Sequence, residues 1–312
     1  MLRYLAGRAI YTVVVLFIAS IVIFWALRVS PGAPEYSIHQ PVLTEAAIEK
    51  FRAEAGLDKP VPVQYVNFLG DIFLHGDLGT SIKSNQPISR LVEVFGKNSA
   101  ILVGSAALVI LSLAIPLGVI AAVNRNNWID HFLVGFASIA MGVPNFVLAL
   151  LLILVVGLEL DLLPISGKGG IRHLVLPTVV LAAEGTAVML RLMRASMLEQ
   201  LQQDYIRTLR AKGLSRTRVI WQHGLRNALL PIISLAALQV AVLIGWTFIV
   251  EIIFRWPGIG QLLVQSVIDR DYPVALIGTL LLAFAVIMAN FFANVAYVFV
   301  DPRIRAGTGI AR

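Results

Sequence analysis

The sequence predicts an all-α membrane protein with six transmembrane helices, and three observations predict it. Apolar residues make up 58% of the 312-residue chain and charged residues only 14%, against roughly 45–50% and about 25% in soluble domains; the mean hydropathy is +0.83. The apolar residues gather into six segments near the ~20-residue length that spans a ~30 Å hydrocarbon core. Lys and Arg crowd into alternate connections, as they do in a chain whose orientation they set.

Segment 9–27 is uncharged. Arg3 and Arg8 precede it as in a signal peptide, but it exceeds the roughly 7–15-residue core of such peptides and no A-x-A-like site follows, so it is read as a retained span. Segment 98–124 holds Pro116 and Gly118, and 132–158 holds Gly142 and Pro144. Segment 173–190 is the weakest, because it contains Pro177 and Glu184. Segments 228–250 and 274–300 are uncharged throughout. Each is expected to be helical because lipid offers backbone groups no hydrogen-bond partner. Pro116 and Pro144 remove backbone donors and kink their helices, as packing features or as hinges.

With the N-terminus placed in the cytoplasm, the inner connections and termini hold 14 Lys and Arg against four acids, and the outer ones 11 against 13. Both termini are therefore expected inside, and the net charge of +7 reads as a topology signal rather than a nucleic-acid footprint. The division is 1–30 for the N-terminus and first span, 31–97 for an extracytoplasmic segment, and 98–312 for the core. Within 31–97, residues 44–56 carry a helical pattern with Thr44 as N-cap and Gly56 as stop, followed by turn-rich His75-Gly76-Asp77-Leu78-Gly79-Thr80-Ser81.

The largest inner loop, 191–226, contains a short delimited helix. Asp204 can cap its start, Lys212 stands at the end that favours a cation, and Gly213 can take the left-handed conformation that stops it. Ile206, Leu209 and Leu214 fall roughly along one side, beside Arg207 and Arg210. One reading is a solvated basic loop that only fixes topology. The other is a docking element, since a two-turn helix is unstable alone in water and needs a surface to pack on.

The run Asp204-Tyr205-Ile206-Arg207-Thr208-Leu209-Arg210-Ala211-Lys212-Gly213-Leu214, then Arg218-Val219 and His223-Gly224-Leu225-Arg226-Asn227-Ala228-Leu229-Leu230-Pro231, resembles the permease loop of binding-protein-dependent ABC importers. The likeness is closest to the peptide/nickel branch, on its dipeptide or oligopeptide permease B side. Gly56-Leu57-Asp58-Lys59-Pro60, Gly76-Asp77-Leu78-Gly79, Asp130-His131, Arg194, Glu251-Ile252-Ile253-Phe254 with Trp256-Pro257-Gly258-Ile259-Gly260, Asp271-Tyr272-Pro273-Val274 and Asp301-Pro302-Arg303-Ile304-Arg305 fit the same pattern in order. Leu209 and Gly224 stand where the pattern carries alanine, and Glu184 is outside it. The resemblance implies a type I importer fold in the bacterial plasma membrane. It implies that residues 204–214 form a coupling helix seated in an ATPase subunit. The implied partners are a second homologous permease, two ATPase subunits that bind ATP and Mg, an extracytoplasmic binding protein, and a peptide substrate. Nickel, glutathione or another small solute is the alternative cargo.

The chain shows no enzyme motif of its own. There is no G-x-x-x-x-G-K-[ST] loop, and Gly167-Lys168-Gly169 lacks its spacing. There is no H-E-x-x-H, no nucleophile elbow and no cysteine, and the five histidines are scattered. Glu184 is the one acid within a span, where the default reading is functional: it faces a wet lumen and meets a substrate ammonium, or else it makes an interhelical hydrogen bond or is protonated. Asn290 and Asn294, one turn apart, either glue spans together or line the path. An ion-coupled secondary transporter would show paired ionisable residues in repeated halves, and Glu184 stands alone.

Overall fold

The computed structural model describes residues 2–29 and 58–300. The helical pattern at 44–56 and the Asp301–Arg305 motif lie outside them. Among the described residues the fold is helical, with one isolated bridge between Thr80 and Pro87. The helices are α1 (Leu2–Val29), α2 (Val61–Gly70), α3 (Ile88–Val123), α4 (Trp128–Gly142), α5 (Asn145–Leu152), α6 (Ile171–Leu201), α7 (Asp204–Ala211), the single turn α8 (Arg216–Arg218), α9 (Leu225–Ile253), α10 (Ile259–Ile268) and α11 (Tyr272–Val300). Wider π turns extend α2 over Asp71–His75 and α5 over Ile153–Glu159, and join α8 to α9 over Val219–Gly224.

Among the described residues five helices are long and apolar enough to cross a membrane, and the bent pair α4–α5, taken as one span, makes six. Most helices outrun the apolar segments that announce them. α3 begins at Ile88 rather than 98, and α6 runs on to Leu201 rather than 190. Helical hydrogen bonding continues into the polar margin, where composition no longer reports it.

Segment 132–158 is the main departure from a straight helix. α4 and α5 meet at an angle of 102°. Val143 is extended, at φ −93° and ψ 117°, as the clash with a following proline ring dictates. Pro144 then occupies the cap position of α5. Pro116, Pro177 and Pro231, by contrast, sit inside unbroken helices.

The core is a seam between α3 and α6, with α9 against both. On α3, Leu102, Ala106, Ile110 and Ala114 recur every fourth residue and are essentially unexposed. Gly118 continues the row: a Cβ there would lie 2.6 Å from Met193 Cβ and 2.9 Å from the Leu190 carbonyl. Small residues let the two backbones approach where apolar side chains gain nothing over lipid. The outward faces carry Leu108, Leu113, Phe132, Phe136 and Leu150, all well exposed, as a lipid-facing surface requires. α1 stands at the margin. It packs on α11 and α2, where Phe24 is buried against the Tyr65 and Phe68 rings at 5.3 and 5.4 Å.

Opposite the α7 end, polar joints hold the connections. Asp271, just before α11, accepts from the Ser81 hydroxyl, from the Ile82 N–H at 3.1 Å and from the Lys83 N–H at 3.4 Å. Lys83 also pairs with Asp269. These bonds fasten the turn before α3 to the corner between α10 and α11. Asp271→Ala should release that turn. Limited proteolysis of the purified protein is expected to cut within 76–87 several-fold faster, since fast opening makes cutting follow the open population.

Candidate functional site

The structure builds the loop 191–226 as a projection that carries a short helix. α6 ends at Leu201, Gln202 and Gln203 turn the chain, and α7 follows. Gln203, extended at φ −70° and ψ 148°, holds the cap position without a side-chain cap bond. Asp204 is thus the first helical residue rather than the cap. It stays favourable beside the helix N-terminus, and it faces Arg207 at 3.8 Å on the exposed surface.

The far end closes as the sequence predicts. Gly213 is left-handed at φ +79°. Its N–H donates to the Arg210 carbonyl at 3.0 Å, and the Leu214 N–H donates back to Leu209 at 3.3 Å. These two bonds form the paired closure of a Schellman motif and leave few free carbonyls at the helix end.

The expected need for an external groove is partly met within the chain. α7 packs on the π turn Val219–Gly224, and Ile206 is fully buried beside the buried Val219 and Ile220. Tyr205 donates its hydroxyl to Gln200 Oε1 at 3.1 Å and accepts from Asn227 Nδ2 at 3.1 Å, so it bridges the end of α6 and the start of α9. The Ser196 hydroxyl donates to the Ala228 carbonyl nearby, at 3.0 Å. Gly224 lies close to Met197, whose Cε would be 2.8 Å from an added Cβ. The outward face is then Asp204, Arg207, Thr208, Arg210, Ala211, Lys212 and Gly213, all exposed, with Leu209 and Leu214 half-buried at its edge.

An ion pair with a buried carboxylate holds the base of this projection. Arg194 of α6 donates through Nε and Nη2 to the two oxygens of Asp130 in the first turn of α4, the second bond at 2.7 Å. Asp130 is 1% exposed. The Asn126 N–H donates to it at 3.0 Å, folding the α3–α4 turn onto the same carboxylate.

At the opposite end, Glu251 forms a second hub. It is fully buried and accepts from the Ser99 hydroxyl of α3 and from the Gly260 N–H of α10, the latter at 2.7 Å. The Ile259 N–H donates to Ser99 Oγ at 2.9 Å. Next to it, Asn98 donates to the Pro257 carbonyl at 2.8 Å and accepts from Lys168 Nζ at 2.7 Å, while the buried Trp256 indole donates to the Asn98 carbonyl at 3.1 Å. The Trp256-Pro257-Gly258 turn is thus an interior corner that launches α10 back along the bundle.

The other sequence candidates lie apart. Glu184 is half-buried on α6 and makes no hydrogen bond or ion pair with another described residue. Asn290 and Asn294 sit on α11, in a groove against α1. Their amide groups donate to their own helix, to the Val286 carbonyl at 2.9 Å and the Asn290 carbonyl at 2.8 Å. Sequence reasoning missed Asp130, Ser99 and Glu251 as joint-makers. Their partners are distant in the chain, and only the isolated motifs containing some of them signalled anything. Among the described residues no cluster of His, Asp and Glu could hold a metal.

These features define a helical, multi-pass membrane subunit with one rigid, basic projection. Residues 114–306 match the model of the binding-protein-dependent transport system inner membrane component, and residues 1–102 that of the N-terminal part of the same membrane component. The oligopeptide transport system permease protein AppB of Bacillus subtilis is 37% identical over 315 residues, covering 97% of this chain and 99% of its own. The glutathione transport system permease protein GsiC of Pectobacterium atrosepticum is 38% identical over 306 residues, covering 98% and 99%. The chain belongs to the binding-protein-dependent inner membrane component family, the permease subunits of ABC importers. It is a multi-pass plasma-membrane transport component rather than an enzyme, in a family that works with a substrate-binding protein and an ATPase.

Proposed function

We propose that the chain forms half of the translocation path for dipeptides and oligopeptides, paired with a second, homologous permease and driven by two ATPase subunits that bind ATP and Mg. In this reading α7 and both termini lie in the cytoplasm, and the extracytoplasmic binding protein delivers substrate to the opposite end. Residues 204–214 form the ATPase contact. The observation that carries the reading is the division of labour in α7. Tyr205 and Ile206 are spent on fixing the helix to its own chain. Arg207, Thr208, Arg210, Ala211 and Lys212 remain outward, a basic face suited to an acid-lined groove. The peptide cargo is supported by the AppB name, and glutathione, itself a tripeptide, by the GsiC name. Glu184, half-buried on α6, is the candidate contact for a substrate ammonium group.

Ala211 is exposed, so Ala211→Trp should fold normally and still obstruct a seated partner. The expected result is loss of ATPase retention on the purified permease and at least a tenfold drop in labelled-peptide uptake, the equivalent of about 1.4 kcal/mol of docking energy. Wild-type uptake with the ATPase bound would sink the docking assignment. Competition among unlabelled dipeptide, pentapeptide and glutathione in the same assay separates the cargo readings.

A further inference from the structure

The corner that follows the Glu251 hub carries two cations with no acid to meet them. Arg255 and Lys168 line an open cavity of about 480 Å³, together with Phe95 of α3 and Gln261 of α10, and none of the described residues lining it is acidic. Arg255 is exposed, and its guanidinium makes no hydrogen bond or ion pair with a described residue. The half-buried Gln261 carboxamide likewise has no partner among them. The Lys168 ammonium spends one of its three donors on Asn98 Oδ1, at 2.7 Å.

Both cations are held in place by their surroundings. Asn98, which fixes the Lys168 ammonium, is 2% exposed and is itself tied to the Pro257 carbonyl at 2.8 Å. Arg255 is left-handed at φ +46°, where glycine or asparagine sits at lower cost. Its neighbours pin it there: the Phe254 carbonyl accepts from the Gly167 N–H at 2.9 Å, and the Trp256 N–H donates to the Glu251 carbonyl at 2.9 Å. The first of these bonds also brings the loop that carries Lys168 against the corner. A long side chain in a strained backbone position is a recurring mark of ligand contacts. The chemistry that fits is a carboxylate, whose two oxygens match the guanidinium fork. Phe95 and Leu262 add an apolar wall, which an inorganic anion leaves unused and a carboxylate with a side chain beside it does not.

We propose that this cavity is an entry subsite for the C-terminal carboxylate of the peptide cargo. Arg255 takes the carboxylate oxygens, Lys168 adds the second positive charge, Gln261 bonds the last peptide group, and Phe95 packs the last side chain. The inference rests on the peptide reading above and on its placement of substrate delivery at this end. It adds a requirement absent from that reading: a peptide with an amidated C-terminus loses the contact.

The test uses the assembled complex in lipid nanodiscs without binding protein, so that only the permease chooses. The probe is a tripeptide ending in photoreactive benzoylphenylalanine, prepared as the free acid and as the C-terminal amide. The acid should label the cavity about tenfold more than the amide, the discrimination expected of one hydrogen bond to a charged group, with the adducts mapping to Phe95 and Leu262. Arg255→Asn suits the left-handed corner and should bring labelling by the acid down to the level of the amide. Equal labelling by acid and amide in the wild type overturns the proposal without any variant having to fold, and so does an undiminished excess in Arg255→Asn. Labelled-peptide uptake by the wild-type complex with its binding protein separates the two failures. Uptake without acid-selective labelling sinks the subsite alone, whereas no uptake sinks the peptide reading with it. If acid and amide label alike while Arg255→Asn weakens retention of the substrate-free binding protein, the cavity meets an acidic side chain of that protein and the cargo assignment is overturned.

Discussion

Asp130→Ala is expected to lower the stability of the folded chain by about 1.5–3 kcal/mol, the range for a hydrogen bond to a charged group, since Asp130 is buried while the Arg194 side chain is 26% exposed. The cost comes less from the lost attraction than from what stays behind. Arg194 keeps its charge between α6 and α4 with no anion to meet it, and the Asn126 N–H loses its acceptor. Removing both charges at once relieves that penalty, so Asp130→Ala with Arg194→Met should be less destabilised than the sum of the single variants. Thermal unfolding of the purified complex in one detergent, across the four members of the cycle, measures the difference. Additive losses would mean that the two side chains do not support one another. Under the proposed function, peptide uptake should fall in parallel with stability, because the pair fixes α4 against the stem that carries α7.

The second large effect is expected at Glu251. Glu251→Ala leaves the half-buried Ser99 hydroxyl and the buried Gly260 N–H without their acceptor, at up to about 1–3 kcal/mol each, and opens a void as well. Glu251→Gln keeps the shape and one acceptor and should lose roughly half as much. Gly258 gives an independent approach to the same hub. A Cβ there would stand 2.0 to 2.4 Å from three atoms of the Glu251 carboxyl group, so Gly258→Ala should displace that group and reproduce much of the Glu251→Ala loss. Unfolding temperatures read this directly. A Gly258→Ala protein as stable as wild type would refute the hub as described.

Much of the fold is legible in the sequence because a membrane imposes length and polarity on each span separately. The apolar runs announce α1, α3, α6, α9 and α11, and Asp204 with Gly213 brackets α7 to within a residue. What escapes notice is what ties distant pieces together. Ser81 and Asp271 are 190 residues apart, and Ser99 and Glu251 are 152 apart. No local pattern links such pairs, and a charge tally counts Asp271 and Glu251 on one side of the membrane without revealing that both are buried. The bend at Val143 had a signal in Gly142 and Pro144, but Pro116, Pro177 and Pro231 carry the same signal within continuous helices. Surrounding packing decides the outcome. For α7, the apolar positions were readable, but whether Ile206 faced inward or toward a partner depended on the π turn after α8. Asn290 and Asn294 were legible as one polar face of α11, but their neighbour α1 was not, because periodicity gives a face and not a neighbour.

The double closure at Gly213 and Leu214 has a mechanical consequence. A projection that frays at its tip would absorb a push as local bending. This one has its last carbonyls tied off and its root bolted to α6 through Tyr205, so displacement passes into the stem with little slack. α6 is 31 residues long, about 46 Å. A tilt of about 5° at the loop end would swing Ile171, at the other side of the membrane, by roughly 4 Å.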